Sequence, residues 1–428
     1  MAVWGFFVDS LFLRVMLMRR LTSLFALACL LPLGAVSAPP PVAVLDPQQV
    51  AVIGNNAFAV ELYGQLRSQS GNLFFAPASI STALAMTYAG AKGATADEIA
   101  NTLHFTLPAD KLHPAMGALQ RGLNAQHDGY QLRLANAVWI QQGYTLIDEF
   151  LALTSSHYGA GLHEADFTNA AEAARLTINQ WVESQTQHKI KDMLQPGTIK
   201  PATRIMLTNA IYFKGDWKLP FNKEATRVEE FQVAVGSRAK TPLMQRTAKF
   251  NYLDGGTFQA LELPYKGGEL SMVVLLPNAS DGMPNLEQSL SPAKLQQWLN
   301  QLTQPSEVTV TLPKFKIEAT FQLSDSLQAL GMKQPFDPEL ADFSGIAPRE
   351  QMQHEGNLYL DNVIHKAFVD VNEQGSEAAA ATSVAIAKSI SLDALPIIFR
   401  ADHPFVFLIR DNRSGAILVM GRLTDPSK

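Results

Sequence analysis

Between Glu373 and Ile390 the chain reads Glu-Gln-Gly-Ser-Glu-Ala-Ala-Ala-Ala-Thr-Ser-Val-Ala-Ile-Ala-Lys-Ser-Ile, and how this run folds governs the rest. Its alanines favour a helix. The alternation favours an extended chain. Every second residue from Ser376 gives Ser376, Ala378, Ala380, Thr382, Val384 and Ile386, small and then β-branched, with no full charge. The other set, Glu377, Ala379, Ala381, Ser383, Ala385 and Ala387, is small enough to face water. That is the two-residue period of a half-buried strand, with Thr382, Val384 and Ile386 favouring extended backbone. Gly375 stands at the head of the run, where a backbone that swings needs freedom. The segment suits both an exposed loop and a buried strand; a surface helix or linker is the competing reading.

Together with His365-Lys366-Ala367 before it and His403-Pro404-Phe405-Val406-Phe407-Leu408-Ile409 after it, the run closely resembles the hinge and reactive loop of serpins, the serine protease inhibitors. The resemblance implies an α+β serpin fold with three β-sheets, eight to nine helices and an exposed reactive-centre loop over about 373–400. It implies a metastable native state whose loop is offered as bait, cleaved, and inserted as a new strand into the central sheet. Glu373, Gly375, Ser376, Glu377, Ala378, Ala379, Ala380, Ala381 and Thr382 then form the hinge. The family spacing from Glu373 puts the reactive bond at Ser389–Ile390, although the distance on to Pro404-Phe405 is a few residues longer than the family's. Cleavage after Lys388 implies a trypsin-like target, after Ser389 or Ile390 an elastase- or subtilisin-like one, and after Leu392 a chymotrypsin-like one.

The chain has 428 residues, 47% hydrophobic and 17% charged, with net charge −5 and dispersed cations. This is ample for a large core and offers no basic face for nucleic acid. Lys189, Lys191, Lys200 and Arg204 read as a solvated scatter. No linker, repeat or low-complexity tract divides residues 42–428, so one domain is expected.

Residues 1–38 read as a targeting segment with a possible mis-assigned extension upstream, Met16 or Met18 being the more natural start. Arg19-Arg20 precedes the apolar run Leu21 to Gly34, and Ala35-Val36-Ser37-Ala38 supplies small residues for cleavage after Ser37 or Ala38. The run is short for a spanning helix, so secretion to the periplasm or exterior is expected rather than stable membrane insertion. The single cysteine, Cys29, lies within this run and would leave with it; apolar residues continuing past it argue against lipidation. The mature domain would then carry no disulfide.

Further along, Val50, Ile53, Phe58, Leu62 and Leu66 mark one face of a helix. Asn72-Leu73-Phe74-Phe75-Ala76-Pro77-Ala78-Ser79 turns from a short strand into a second helix, with Pro77 in its first turn. This block is similar to the serpin pattern Asn-x-Phe-x-Ser-Pro-x-Ser, except that Ala76 replaces the first serine and puts its hydrogen bonding in doubt. Leu134 to Ile140 reads as a strand. Ala170 to Thr186 reads as a helix with Leu176, Ile178, Trp181 and Val182 inward. Met206 to Trp217 is a nearly continuous apolar strand interrupted at Thr208 and Asn209 and closed by a turn. A buried Asn209 needs partners, which the resemblance supplies as Ser79 and His365; Trp217 is grouped with them as a sheet-opening cluster. Leu261–Gly267, Ser271–Pro277, Val308–Leu312, Phe405–Arg410 and Ala416–Arg422 read as further strands, and Ala293–Leu302 and Leu323–Leu330 as helices; Leu358 through Val371 leads to the hinge.

No Gly-x-Ser-x-Gly, His-Glu-x-x-His, P-loop or Cys/His metal spacing is present, so no enzyme, metal site or cofactor is expected. The expected function is suicide-substrate inhibition of a serine, or also cysteine, protease, which is trapped covalently by a monomeric inhibitor. The alternative is a non-inhibitory serpin acting as carrier or chaperone.

Overall fold

The computed structural model describes residues 45–124, 128–159, 161–376 and 396–428. Helix α1 (Pro47–Leu66) opens on a capping box between Asp46 and Gln49, with Pro47 at its first position. Its buried stripe runs through Val52, Ala59, Leu62 and Leu66; Ile53, expected inward, lies a step round the helix and is 56% exposed. β1 (Leu73–Phe75) leads into α2 (Pro77–Tyr88), buried on all sides from Pro77 to Thr87, which its small side chains permit. There follow α3 (Gly93–Thr102), α4 (Ala109–Asn124), β2 (Tyr130–Gln141), α5 (Asp148–Tyr158), β3 (Leu162–Ala165) and α6 (Phe167–Gln185). On α6 the inward stripe is Ala174, Ile178 and Val182, and Leu176, half a turn away, faces out.

β4 (Ile205–Asp216), β5 (Arg227–Ala234), β6 (Ser237–Asp254), β7 (Phe258–Pro264) and β8 (Leu270–Pro277) come next, then α7 (Met283–Ser289) and α8 (Pro292–Gln301). β9 (Pro305–Pro313), β10 (Phe315–Gln322), α9 (Ser324–Ala329), α10 (Arg349–Glu355) and β11 (Leu360–Val371) precede the two-residue β12 (Gly375–Ser376). The chain closes with β13 (Ile397–Arg400), β14 (Phe405–Asp411) and β15 (Ile417–Leu423).

The architecture is α+β. Hydrogen bonding gathers the described strands into two sheets rather than the expected three. The reason is β6, whose 18 residues pair with β5, then β9, then β7, so one strand serves two of the expected sheets. Ten α-helices are present among the described residues, against eight to nine, and three of them, α7, α9 and α10, are of seven residues or fewer. The six-stranded sheet runs β10-β11-β12-β4-β2-β3. One buried core fills the space between the two sheets with Phe213, Ile211, Val274, Phe315 and Phe407, among others. A second joins the lower ends of β4 and β11 to α1 and α2, and a third lies on the outer face of the six-stranded sheet beneath α6.

Candidate functional site

The sheet changes character where β4 meets β11. Over most of their length the two strands pair directly and in parallel, from Leu360 opposite Ile205 to Phe368 opposite Tyr212. Above that point they part, and β12 enters between them antiparallel to both, with Ser376 opposite Gly215 on one side and Val371 on the other. A seam closed below and wedged open above is therefore built into the centre of the sheet.

The wedge is held by backbone. The Trp217 amide donates to the Gln374 carbonyl at 2.7 Å, and the Phe221 amide to the Glu373 carbonyl at 2.8 Å. The Trp217 indole N–H donates to the Asn372 carbonyl at 3.0 Å. Trp217 stacks on Tyr265, ring centroids 4.6 Å apart, and the Tyr265 hydroxyl lies 2.9 Å from that of the fully buried Ser376. Gly375 passes so close to β4 that a Cβ there would sit 1.9 Å from the Gly215 carbonyl oxygen, so only glycine is accommodated. Burial alone would raise the Glu373 carboxyl, but Lys314 at 3.0 Å, the backbone and the Thr226 hydroxyl at 2.9 Å hold it below its ordinary range.

Six residues down β4 from Gly215, about 20 Å at the usual strand rise, lies a buried polar cluster. His365 on β11 faces Asn209 on β4 across the seam. The His365 Nδ1 meets the Asn209 carbonyl oxygen, and the Asn209 amide donates to the Ser79 hydroxyl of α2 at 2.7 Å. Ser79 donates to Asn136 of β2 at 2.7 Å. The His365 Nε2 accepts the backbone N–H of Ala76 at 3.1 Å, so Nε2 is bare and Nδ1 carries the proton. Burial drives the imidazole pKa down to about 3. The missing hydroxyl at Ala76 leaves α2 without a side-chain cap, yet the His365 bond survives because the backbone makes it.

The structure thus brings Ser79, Asn209 and His365 together and adds Asn136, which sequence reasoning passed over as one more strand residue. It places Trp217 elsewhere, with Glu373, Gly375 and Ser376 at the wedge. Glu377, Ala378, Ala379, Ala380, Ala381, Thr382, Lys388, Ser389 and Ile390 lie outside the described residues. Among the described residues no group of His, Cys, Asp and Glu is arranged to hold a metal ion, and no helix is long and apolar enough to cross a membrane.

Residues 53–426 match the family described as Serpin, serine protease inhibitor. The chain belongs to the serpin family. Leukocyte elastase inhibitor of Homo sapiens is 40% identical to this serpin over 386 residues, covering 87% of this chain and 98% of its own. A serpin-like protein of Thermococcus kodakarensis is 40% identical over 374 residues, covering 87% of this chain and 84% of its own. Uncleaved ovalbumin superposes with a TM-score of 0.79 at 30% identity, over 88% of this serpin and 100% of that chain. The native thermophilic serpin tengpin gives 0.79 at 27%, over 87% and 94%. The wedge and the buried cluster both lie in the six-stranded sheet of this serpin.

Proposed function

We propose that this serpin is a suicide-substrate inhibitor of serine, or also cysteine, endopeptidases, which traps the acyl-enzyme by drawing its cleaved loop into the seam between β4 and β11. The observation that carries this reading is β12, a strand already begun in that seam and antiparallel to both walls.

The register supports it. From Ser376 opposite Gly215 and Val371, each further loop residue steps one back along both walls. Ala378, Ala380, Thr382, Val384 and Ile386 then arrive beside Phe213, Ile211, Asn209, Leu207 and Ile205, whose side chains other than Asn209 lie in the buried cores. Thr382 falls between Asn209 and His365, and Ala379 between Tyr212 and Phe368. The first residue of β4 is reached at Ile386, so a bond cut at Lys388–Ser389 or Ser389–Ile390 leaves a strand long enough to line the whole wall.

Insertion exchanges one parallel ladder for two antiparallel ones, which are slightly more stable per residue, and buries the alternating apolar set at about 0.8 kcal/mol per CH2. A protease attacking the loop forms an acyl-enzyme on its nucleophile. Rapid insertion drags it away before water releases it; slow insertion leaves a cleaved substrate. The segment 1–38 is proposed to direct export, and the inhibitor to act as a monomer.

The test is to nick the loop and compare melting temperatures, and to incubate the intact chain with pancreatic elastase, subtilisin, trypsin and chymotrypsin. A large rise in Tm and an adduct resisting SDS are expected, and the mass of the released fragment identifies the bond. No rise and no adduct would favour the carrier.

A further inference from the structure

We infer that Tyr212 and Phe368 form the first closure of the seam and set how fast a strand enters it. The inference rests on the insertion reading above. Tyr212 on β4 and Phe368 on β11 are the uppermost directly paired residues, immediately below the fork that β12 occupies. Their side chains lie on the outer face of the sheet, in the core beneath α6, with ring centroids 6.4 Å apart and planes inclined by 32°. Both are buried, at 2% and 7% exposure.

Each ring carries a cation. The Lys189 ammonium lies 5.8 Å from the Tyr212 centroid and that of Lys316, on β10, lies 4.9 Å from Phe368. A ring face draws a cation through its quadrupole, and the ring pair is itself attractive. Four side chains from two β-strands, the edge strand β10 and the segment after α6 thus meet over one point of the seam.

Separating β4 and β11 by one strand adds about 4.8 Å between them, which carries the rings out of contact. A strand growing downward from Ser376 meets this pair first, well before it reaches Asn209 and His365. The contact therefore stabilises the closed seam and is absent from the open one. Removing it lowers the barrier to insertion rather than weakening both forms alike. Tyr212 and Phe368 are positioning residues: they touch neither the protease nor the cut bond.

The test uses the full chain and an acetylated peptide with the sequence of Glu377–Ile386, the part of the strand that falls below the place β12 already fills, as the incoming strand. Phe368→Ala should take up the peptide roughly three- to tenfold faster than wild type, with Phe368→Leu, which keeps most of the apolar bulk and loses the ring, and Lys316→Met in between. The second readout separates a seam contact from ordinary packing. Phe368→Leu should lower the Tm of the intact chain and leave the Tm of the loop-cleaved chain unchanged. Equal losses of Tm in the two forms, or unchanged uptake in Phe368→Leu, would overturn the inference while wild-type uptake leaves the insertion reading intact. Failure of the wild type both to bind the peptide and to gain Tm on cleavage would overturn the reading and the inference together.

Discussion

β4 has two neighbours in one sheet and is bound to them differently. To β2 it is joined by eleven unbroken antiparallel pairs, from Tyr130–Gly215 to Ile140–Ile205. To β11 it is joined by eight parallel pairs, irregular near Leu360–Asn362 and forked above Phe368. Parallel hydrogen bonds are slanted and slightly weaker per residue, and the parallel side relies on side chains that bridge it, Asn209 to His365 inside and Tyr212 to Phe368 outside. The same strand is thus paired without a break on one edge and forked on the other.

The sharpest way to break that contrast is to block the fork. Ser376→Arg puts a long cation where a fully buried hydroxyl meets Tyr265, and Ala380→Pro removes an amide the incoming strand must donate. Each should abolish the SDS-resistant adduct and leave a chain that is cleaved as substrate; continued adduct formation on a denaturing gel would sink the proposal. A smaller effect is expected from Asn209→Ala, which strands the His365 and Ser79 partners inside the core. It should cost about 3 kcal/mol in urea unfolding. The equivalent loss at Asn251, which pairs with Glu262 away from the seam, should be smaller.

Acid offers a graded version of the same break. The unfolded imidazole of His365 takes up a proton near its ordinary 6.5, whereas the folded one resists until about 3. The unfolded state therefore binds more protons across that window, and stability falls as pH drops, by about 1.4 kcal/mol per unit. His365→Gln should flatten the dependence of unfolding free energy on pH between 6 and 4; an unchanged slope would remove His365 as its cause. The smallest change should come from Lys314→Met. Its partner Glu373 is buried but Lys314 is 38% exposed at its side chain, so less than about 1 kcal/mol is expected, read as a shift in Tm.

The apolar strands were legible because their pattern is local. β4, β8, β14 and β15 appear in the sequence as continuous or alternating hydrophobic runs and form where expected. β5 and β6 did not stand out. Lys240, Gln245, Thr247 and Lys249 on β6 are exposed, and pairing across long separations holds the strand rather than a strong pattern. Helix α4 was hidden by Pro114 within it. At the site, Asn209 and His365 were legible as buried polar groups in need of partners. Asn136 was not, since nothing local distinguishes an asparagine that will face another strand's asparagine in the middle of a long antiparallel ladder. Trp217 was assigned to the wrong end because sequence nearness to Asn209 along an extended strand means distance, not contact.

The two residues of β12 also stand guard. A tethered segment already lodged at the mouth has an effective concentration on the order of millimolar, so a matching strand from a neighbouring molecule arrives to find the berth taken. Self-occupancy reserves the mouth of the seam for its own chain, and leaves a foreign strand only the part below it.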